Sequence, residues 1–451
     1  MGALDTLFSE LVDYAWGMPL IVVLLGGGFA LLALSRFLPF LGLRHAIDIL
    51  RGKFDHEDDP GDITHFQALA TALSSTIGMG NVAGVAVAIT QGGPGAVFWM
   101  WMAAIVGMAT KFFTCTLAVM YRGTDSLGAV QGGPMYYIEV GLGKKWRFLA
   151  ILFSVCGMIG CLAMFQTNQM AEVMKVSLGV APWVTGLVAT SLVAVVIFGG
   201  IERIANVASK LVPAMCGLYL LAVIGILITN FASIPAVFAQ IFHDAFNGTA
   251  AAGGVAGFSV ATIIQTGVKR AAFSNEAGIG TAPMAHGAAR TSEPVREGLV
   301  AMLGPFIDTI VVCSLTAFAI LSTDIGRDAI GADGIKGVSL TLAAFEASLG
   351  EPGRIVLIAC VALFALSTMF GYAYYGRKCF SYLFGAERGR VYDFVYLGML
   401  FAGAVWHADL VVNMLDTAFA LMVWPNMLAT FLLAPHVMRA TRKYFARYRE
   451  S

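Results

Sequence analysis

One apolar run of the chain contains, in its middle, Ser74-Ser75-Thr76-Ile77-Gly78-Met79-Gly80-Asn81. A second apolar run contains a matching stretch, Ser274-Asn275-Glu276-Ala277-Gly278-Ile279-Gly280-Thr281. Each glycine inside a helix costs about 1 kcal/mol relative to alanine, and the flanking polar side chains also favour unwinding. The two stretches therefore predict two membrane helices that are broken near their middle; close helix packing at the glycine pairs is the alternative. Unwound backbone at membrane depth is tolerated only where it is buried or lines a cavity.

The composition indicates a membrane protein. Of the 451 residues, 58% are hydrophobic and 12% are charged, whereas an average soluble domain is about 25% charged. The net charge is zero, so the chain lacks the basic surface of a nucleic-acid binder. The seven cysteines include no CxxC pair and lie in or beside apolar runs, which indicates packing rather than metal binding or disulfides. A soluble enzyme is excluded on the same grounds.

Eleven segments contain the roughly 20 mostly apolar residues that a membrane helix needs. We label them span A, 18–41; span B, 66–90; span C, 94–120; span D, 148–174; span E, 182–200; span F, 204–229; span G, 255–286; span H, 297–321; span I, 353–376; span J, 391–406; and span K, 409–434. Two amphipathic segments, 234–247 and 338–349, are too short to cross. Most lysines and arginines fall in alternate loops, which predicts an outer N-terminus and a cytoplasmic C-terminus.

The two broken helices indicate an internal repeat. Span B is the first of five spans and span G is the first of the next five, with opposite directions through the membrane. Matching broken helices in two inverted halves are typical of secondary transporters. The predicted architecture is an all-α polytopic membrane protein. Its predicted parts are an N-terminal segment with an extra helix and a cytoplasmic loop, 1–62; a first five-helix repeat, 63–231; a second five-helix repeat, 232–435; and a basic cytoplasmic tail, 436–451.

A broken helix offers backbone groups to a ligand. The half-helix that begins at the break presents free N–H groups and a positive dipole end, which suit a carboxylate. The half-helix that ends there presents free carbonyls, which suit Na⁺ or an ammonium group. A zwitterionic amino acid carries both charges, so one pair of broken helices can bind it with few charged side chains.

Among the acidic residues of the predicted spans, Glu276 and Asp308 are singled out, because function is the default interpretation of a carboxylate at membrane depth. Glu276 lies in the second break, and pairing with Lys269 or Arg270 is its structural alternative. Asp308 lies mid-span in H and is expected to support a cation site or a helix N-terminus. Lys111 lies near the inner end of span C, where it can extend towards water, and no role is predicted for it.

Three further polar positions have a structural alternative. Ser367 and Thr368 are adjacent hydroxyls in span I, and bonding back to the preceding helical turn is their alternative role. Gln166 lies among apolar neighbours in span D, and bonding between helices is the alternative to a place in a pocket wall.

Several motifs resemble one known family along essentially the whole chain. They are Phe66-Gln67-Ala68-Leu69, Gly78 to Ala86, Gly92 to Trp101, Gly107 to Phe112, Gly132 to Tyr137, Phe273 to Gly278, Ser367-Thr368 and Tyr374-Tyr375-Gly376. They resemble the alanine or glycine:cation symporter family. The resemblance implies a LeuT-type fold, with spans B to K as two inverted sets of five and span A as an addition. It also implies import of alanine or glycine with Na⁺ as the coupling ion and no other cofactor.

The resemblance also implies site residues. The substrate set comprises Thr76, Gly78, Met79, Gly80, Gln166, Phe273, Ser274, Glu276, Gly278 and Tyr372. In this set, the N–H groups of Met79 and Gly80 are expected to bind the carboxylate, and carbonyls near Thr76, Phe273 and Ser274 the ammonium group. Gln166 is expected to form a polar wall and Phe273 an aromatic lid. The sodium set comprises Ser74, Ile77, Ser367 and Thr368, and a second cation site would comprise Asn81, Ser274 and Asp308.

The chain departs from the family pattern at two of these positions. The family commonly has threonine where Met79 stands and tryptophan where Tyr372 stands. We hypothesise that Met79 fills pocket volume and shifts the preference towards glycine. A methyl group is worth about 1–3 kcal/mol of discrimination in such a pocket, which is enough for a preference but not for exclusion.

The sequence therefore predicts a sodium-coupled symporter of glycine or alanine that works by alternating access in the plasma membrane, a bacterial-type inner membrane. One alternative is the same fold driven by protons, with Glu276 or Asp308 titrating. Another is a membrane sensor or channel without transport. An enzyme is not expected, because no HExxH, GxSxG or nucleotide-binding loop occurs. The expected partners are the amino acid, Na⁺ and the lipid bilayer, with no nucleic acid.

Overall fold

The computed structural model describes residues 10–12, 14–56, 58–247, 259–330 and 337–450. These residues are mostly α-helical. From the N-terminus to span F, the helices are Met18–Leu34, Leu38–Leu41, Leu43–Leu50, His65–Thr76, Val85–Gly92, Gly95–Met120, Pro134–Tyr136, Arg147–Gly160, Met164–Leu178, Pro182–Ile197 and Gly200–Thr229. After span F they are Ile234–Asn247, Val260–Asn275, Ala282–His286, Pro294–Ala301, Leu303–Pro305, Ser314–Leu321, Asp324–Asp328, Val338–Leu349, Glu351–Phe384, Gly389–Val405 and Ala408–Glu450.

Shorter elements connect these helices. Three segments are π-helical: Gly80–Gly84, Tyr137–Gly141 and Phe306–Cys313. Three are 3₁₀ turns: Lys144–Trp146, Phe231–Ser233 and Ala386–Arg388. An antiparallel hairpin of Gly123–Thr124 and Val130–Gln131 follows span C. The two amphipathic segments predicted to be too short to cross are short helices with the bounds 234–247 and 338–349.

Six helices in the described part of the chain are long and apolar enough to cross a membrane, and a bent pair in span B makes a seventh. Three shorter apolar helices add to them: Met18–Leu34, Pro182–Ile197 and Val338–Leu349. The chain is therefore a multi-pass membrane protein. The prediction of eleven spans stays a prediction.

Span B is broken, as predicted. Its first helix, His65–Thr76, begins with a capping box, in which the Thr64 hydroxyl accepts from the N–H of Gln67 at 3.2 Å and the Gln67 side chain accepts from the N–H of Thr64 at 3.0 Å. The helix stops because Ile77 is extended, with ψ at 97°. Helical structure then resumes with a π turn at Gly80, and the two halves of the span are bent by 52° relative to each other.

Span G is also broken, as predicted. Its first helix ends at Asn275, and three of the next five residues have positive φ angles: Glu276 at 56°, Gly278 at 90° and Gly280 at 100°. Glycine adopts this left-handed region freely, which explains the two glycines of the motif. The second half-helix, Ala282–His286, has only five residues. The N-terminal part of the predicted span, 255–258, lies outside the described residues.

Several predicted boundaries differ from the structure, among them the end of span I, whose helix runs to Phe384, and those of spans A, D and K. Span A ends at Leu34 because Arg36 and Phe37 are left-handed, with φ of 55° and 59°. Span D is split after Gly160, because Ala163 has a φ of 52°. Span K continues as a helix to Glu450, so the predicted basic tail is helical. In the last case the apolar pattern ends near residue 434, whereas the helical propensity of Arg, Lys and Ala continues.

Arg122 joins distant segments at one end of the bundle. Its guanidinium donates to the carbonyls of Gly287 at 2.9 Å, Thr291 at 2.9 Å and Pro60 at 3.1 Å, and also to that of Ala289. The same segments pair through their backbones, because the N–H of residue 62 donates to the carbonyl of residue 288 at 2.8 Å. We call this set of contacts the Arg122 knot. It fixes the start of span B to the residues that follow the short half-helix of span G.

Candidate functional site

Asp308 joins both breaks. Its carboxylate accepts hydrogen bonds from Asn81 Nδ2 at 2.7 Å, from Ser274 Oγ at 2.8 Å and from Thr309 Oγ1 at 2.7 Å. It is fully buried in the π-helical part of span H, and π turns often occur at functional sites. Three hydrogen bonds compensate the burial of this carboxyl group. The structure thus brings together the three residues predicted as a second cation site.

Asn81 also shapes the break in span B. Its Oδ1 atom accepts from the N–H of Gly78 at 2.8 Å, while its Nδ2 atom reaches Asp308. The side chain therefore satisfies a backbone donor that the broken helix leaves unpaired. This contact makes Asn81 a structural part of the break as well as a member of the predicted cation set.

The predicted sodium residues also meet. The Ser367 hydroxyl of span I is 3.1 Å from the carbonyl of Ser74, where the first helix of span B approaches its end. A Cβ atom added to Gly78 would collide with Oγ1 of Thr368, so the broken backbone packs directly on span I. Both hydroxyls also lie 3.1 Å from the carbonyl of Phe364 in their own helix, so the alternative role is present too. Ile77 supplies extended backbone beside them.

The substrate residues of the two breaks face each other. A Cβ atom on Gly80 would be 3.1 Å from the Cα of Ser274 and 3.5 Å from Cδ1 of Phe273. Only glycine therefore permits this approach of the two backbones without a shift. Met79, immediately before it, is fully buried, and the hydroxyl of Thr76 bonds back to the carbonyl of residue 72 at 3.1 Å.

Aromatic side chains enclose this region. The Phe273 ring lies 5.4 Å from Phe165 and 5.7 Å from Phe419, and Tyr372 lies 6.2 Å from Phe419, measured between ring centres. Gln166 follows Phe165 and is 3% exposed, and its Oε1 atom accepts no hydrogen bond from the described residues. Sequence reasoning missed Phe165 and Phe419, because a phenylalanine in an apolar run carries no signal that distinguishes a pocket from a core.

Glu276 has partners other than the predicted ones. Its carboxylate accepts from the Thr281 hydroxyl, and Tyr372 and the Lys111 ammonium interact with it electrostatically. Lys269 pairs instead with Asp416 of span K at 2.8 Å, and Arg270 lies 3.7 Å from the same carboxylate. The structural alternative for Glu276 was an ion pair with Lys269 or Arg270 of its own helix. The structure instead has these two side chains beside Asp416, in an ion pair between spans G and K.

Lys111 does not extend to water. It is 2% exposed, and a Cβ on Gly304 of span H would be 3.3 Å from its ammonium nitrogen. Its charge acts on both Glu276 and Asp308. Because the sequence places it near a span end, its role as a buried counter-charge was missed.

Gly278 is the predicted substrate residue that the structure places apart. Its carbonyl accepts from Asn426 Nδ2 of span K at 2.7 Å. A Cβ atom added to it would be 2.5 Å from Cδ2 of Leu24 in span A. Gly278 therefore packs towards spans A and K and is not brought together with Met79 and Gly80.

Comparisons with known proteins agree on one family. The family model described as "Sodium:alanine symporter family" matches residues 1–451. The chain is 42% identical to the sodium/alanine symporter AgcS of Methanococcus maripaludis, over 97% of each chain. It is 39% identical to the putative sodium/proton-dependent alanine carrier protein YrbD of Bacillus subtilis, over 95% of this chain and 90% of that protein.

A solved structure shows the same fold at low identity. The structure of MhsT in complex with L-phenylalanine superposes with a TM-score of 0.60, at 13% identity, over 83% of this chain and 89% of that chain.

Proposed function

Because the chain belongs to the sodium:alanine symporter family, it is a sodium-coupled amino-acid symporter rather than an enzyme, and we propose that it imports glycine and alanine by alternating access. The observation that carries this proposal is the convergence of the two broken helices on Asp308, beside a hydroxyl-lined contact between spans B and I. This arrangement offers oxygen ligands and free backbone groups at one place in the membrane.

In the proposed complex the amino acid lies between the breaks. The N–H groups of Met79 and Gly80 receive its carboxylate, and carbonyls near Thr76 and Phe273 receive its ammonium group. Gln166 and Tyr372 close the sides, with Phe273 as the lid. Ser274 and Glu276 contribute polar groups at the edge. The close approach of Gly80 to Ser274 supports this arrangement, because it brings the backbone groups of the two breaks together.

Sodium is proposed to bind between spans B and I. Oxygen atoms of Ser74, Ile77, Ser367 and Thr368 are its proposed ligands, and the short distance between Ser367 and the carbonyl of Ser74 supports the site. Bound sodium would hold span B against span I in the outward-open form, and its loss to the cell interior would release the substrate. The membrane potential assists entry by about 2.3 kcal/mol per charge per 100 mV.

The architecture proposed for this function has eleven spans. Spans B to K form the two inverted sets of five, within 63–231 and 232–435, and span A is an addition in 1–62. The N-terminus is proposed to lie outside, and the basic end, 436–451, in the cytoplasm, as expected from the loops rich in lysine and arginine. The membrane is proposed to be the plasma membrane. The two confirmed breaks, one in each set, support this arrangement.

Uptake of labelled glycine and alanine into proteoliposomes tests the function. We expect accumulation against a gradient only when external sodium exceeds internal sodium. A proton-coupled mechanism is the second candidate, because one relative is described as a sodium/proton-dependent carrier. Accumulation at fixed pH with potassium in place of sodium would favour the proton-coupled candidate. Binding of glycine without accumulation would favour a sensor or channel.

A further inference from the structure

A cavity of about 230 Å³ opens beside the Arg122 knot, apart from the two breaks. Its walls are the hairpin after span C, the loop between spans E and F, and the facing ends of spans I and J. One wall residue, Ala373, directly follows Tyr372, the polar neighbour of Glu276. We call this space the inner cavity. One residue of its wall is therefore next in sequence to a residue of the proposed substrate site.

Lys378 gives the inner cavity a buried amino group that an anion would stabilise in its charged form. Its side chain is 8% exposed, its Nζ donates to the carbonyl of Met284 at 3.3 Å, and it lies 5.0 Å from the centre of the Tyr374 ring. The neighbouring Arg377 pairs with Asp393 at 3.1 Å, whereas Lys378 forms no ion pair with any carboxylate in the described part of the chain. A buried ammonium group without an anion is costly, so the cavity favours an anionic group at this position.

Asp62 supplies the opposite charge. It lines the same cavity, and its charge acts on Lys378 more than that of any other residue. Its backbone is fixed, because its N–H donates to the carbonyl of Ala288 at 2.8 Å. Asp125 also lines the cavity, but its carboxylate already accepts three hydrogen bonds from the hairpin, at 2.9–3.0 Å. The inner cavity therefore offers one available cation and one available carboxylate.

We propose that the inner cavity is a second amino-acid site, which holds a zwitterion with its carboxylate at Lys378 and its ammonium group at Asp62. The proposal rests on the proposed function, because it places this site on the route by which the substrate leaves the breaks. Met284 belongs to the short half-helix of span G, so an amino acid that binds Lys378 competes with a contact between spans G and I. Occupancy of the site would thus loosen that contact as the substrate leaves.

Binding of labelled glycine to the purified full-length protein in lipid nanodiscs tests the proposal. We expect two classes of site: a tight class that requires sodium and a weak class that does not. Lys378→Met and Asp62→Asn should each weaken the weak class at least tenfold and retain the tight class. The retained tight class shows that each variant is folded. Lys145→Met, which changes an exposed lysine away from the cavity, is the matched control and should change neither class.

Competition with fragments of the zwitterion separates this proposal from a simple anion site. Acetate and methylammonium should each compete at the weak class far less than glycine, because each occupies only half of the site. A single class of binding in the wild type, or acetate as effective as glycine, overturns the proposal even if sodium-driven uptake is normal. Absence of sodium-driven uptake, with a weak class that depends on Lys378, instead overturns the proposed function and retains the inner cavity as a binding site.

Discussion

Single residues at the breaks carry the proposed specificity. Met79 is fully buried at the turn of span B, and Ser367 bridges span I to the carbonyl of Ser74. Both positions could be singled out from the sequence, since they lie in or opposite the glycine motifs. Lys111 could not, because only the packing of span C on span H shows that its ammonium stays inside. Polarity in a motif is visible in sequence, whereas burial of a residue near a helix end is not.

Met79→Thr is expected to raise the ratio of alanine to glycine uptake about tenfold. The shorter side chain leaves room for the substrate methyl group, which is worth about 1–3 kcal/mol in such a pocket. The ratio is measured from initial uptake rates of the two labelled substrates in proteoliposomes. Met79→Leu, which keeps the volume, should leave the ratio at the wild-type value. An unchanged ratio in Met79→Thr would show that another residue selects the substrate.

Ser367→Ala is expected to raise the sodium concentration for half-maximal uptake about tenfold. Loss of one oxygen ligand of the proposed sodium site corresponds to about 1.4 kcal/mol, and glycine affinity at saturating sodium should change little. Ser191→Ala is the matched control, because the Ser191 hydroxyl bonds only within its own helix, at 2.8 Å from the carbonyl of Leu187. Equal sodium dependence of the two variants would contradict the proposed site.

At the scale of the helices, the breaks in spans B and G could be predicted from their glycine pairs. The break in span D, which lies at an alanine, could not be predicted. Spans B and G have Gly-x-Gly pairs, and both are broken where the pairs lie. Span D breaks at Ala163, which no local signal marks. Its neighbours explain the break, since Gly160 packs against the Phe419 ring and Met164 against the backbone of Gly403. Tertiary contacts of this kind are invisible in one sequence.

Ala163→Val is expected to lower stability by about 1–2 kcal/mol or more. A left-handed backbone is costly for residues with a Cβ atom, and a β-branched side chain makes it a true outlier. Ala163→Gly should fold as well as the wild type, because glycine adopts the required φ freely. The thermal midpoint of the purified protein is the measurement, with Ala194→Val in the regular helix of span E as the control. Equal midpoints for the glycine and valine variants would show that the backbone at 163 is not strained.

Across the whole molecule, contacts between residues distant in sequence hold separate segments together. The Arg122 knot ties the loop before span B to the segment after span G, and Arg447 near the end of the last helix pairs with Glu293. The family resemblance could supply the order of the spans. It could not supply these contacts, because the positions of both partners in each contact depend on the complete fold.

Arg122→Gln is expected to destabilise the protein by about 3 kcal/mol, because four carbonyls, most of them in partly buried contacts, lose a charged donor. Burial lowers the pKa of Arg122, but an arginine remains charged at neutral pH, so the loss should be the same at pH 6 and pH 8. Hydrogen exchange of 60–63 and 287–291 is the measurement. Arg147→Lys, an exposed arginine 3.9 Å from Glu139, should leave exchange in these segments unchanged. Unchanged exchange in Arg122→Gln would show that the backbone pairing alone holds the knot.

The Arg122 knot can form only late in the synthesis of the chain. Arg122 and its partners at Gly287 and Ala289 are separated by 165 and 167 residues. At 5–20 residues per second, a ribosome needs roughly 8–33 seconds to make that length. Until then the guanidinium has only the carbonyl of Pro60 among these partners, so the loop before span B lacks most of the contacts of the knot. Nascent chains that stall before residue 287 should therefore remain sensitive to protease at the loop before span B, and longer chains should become resistant there.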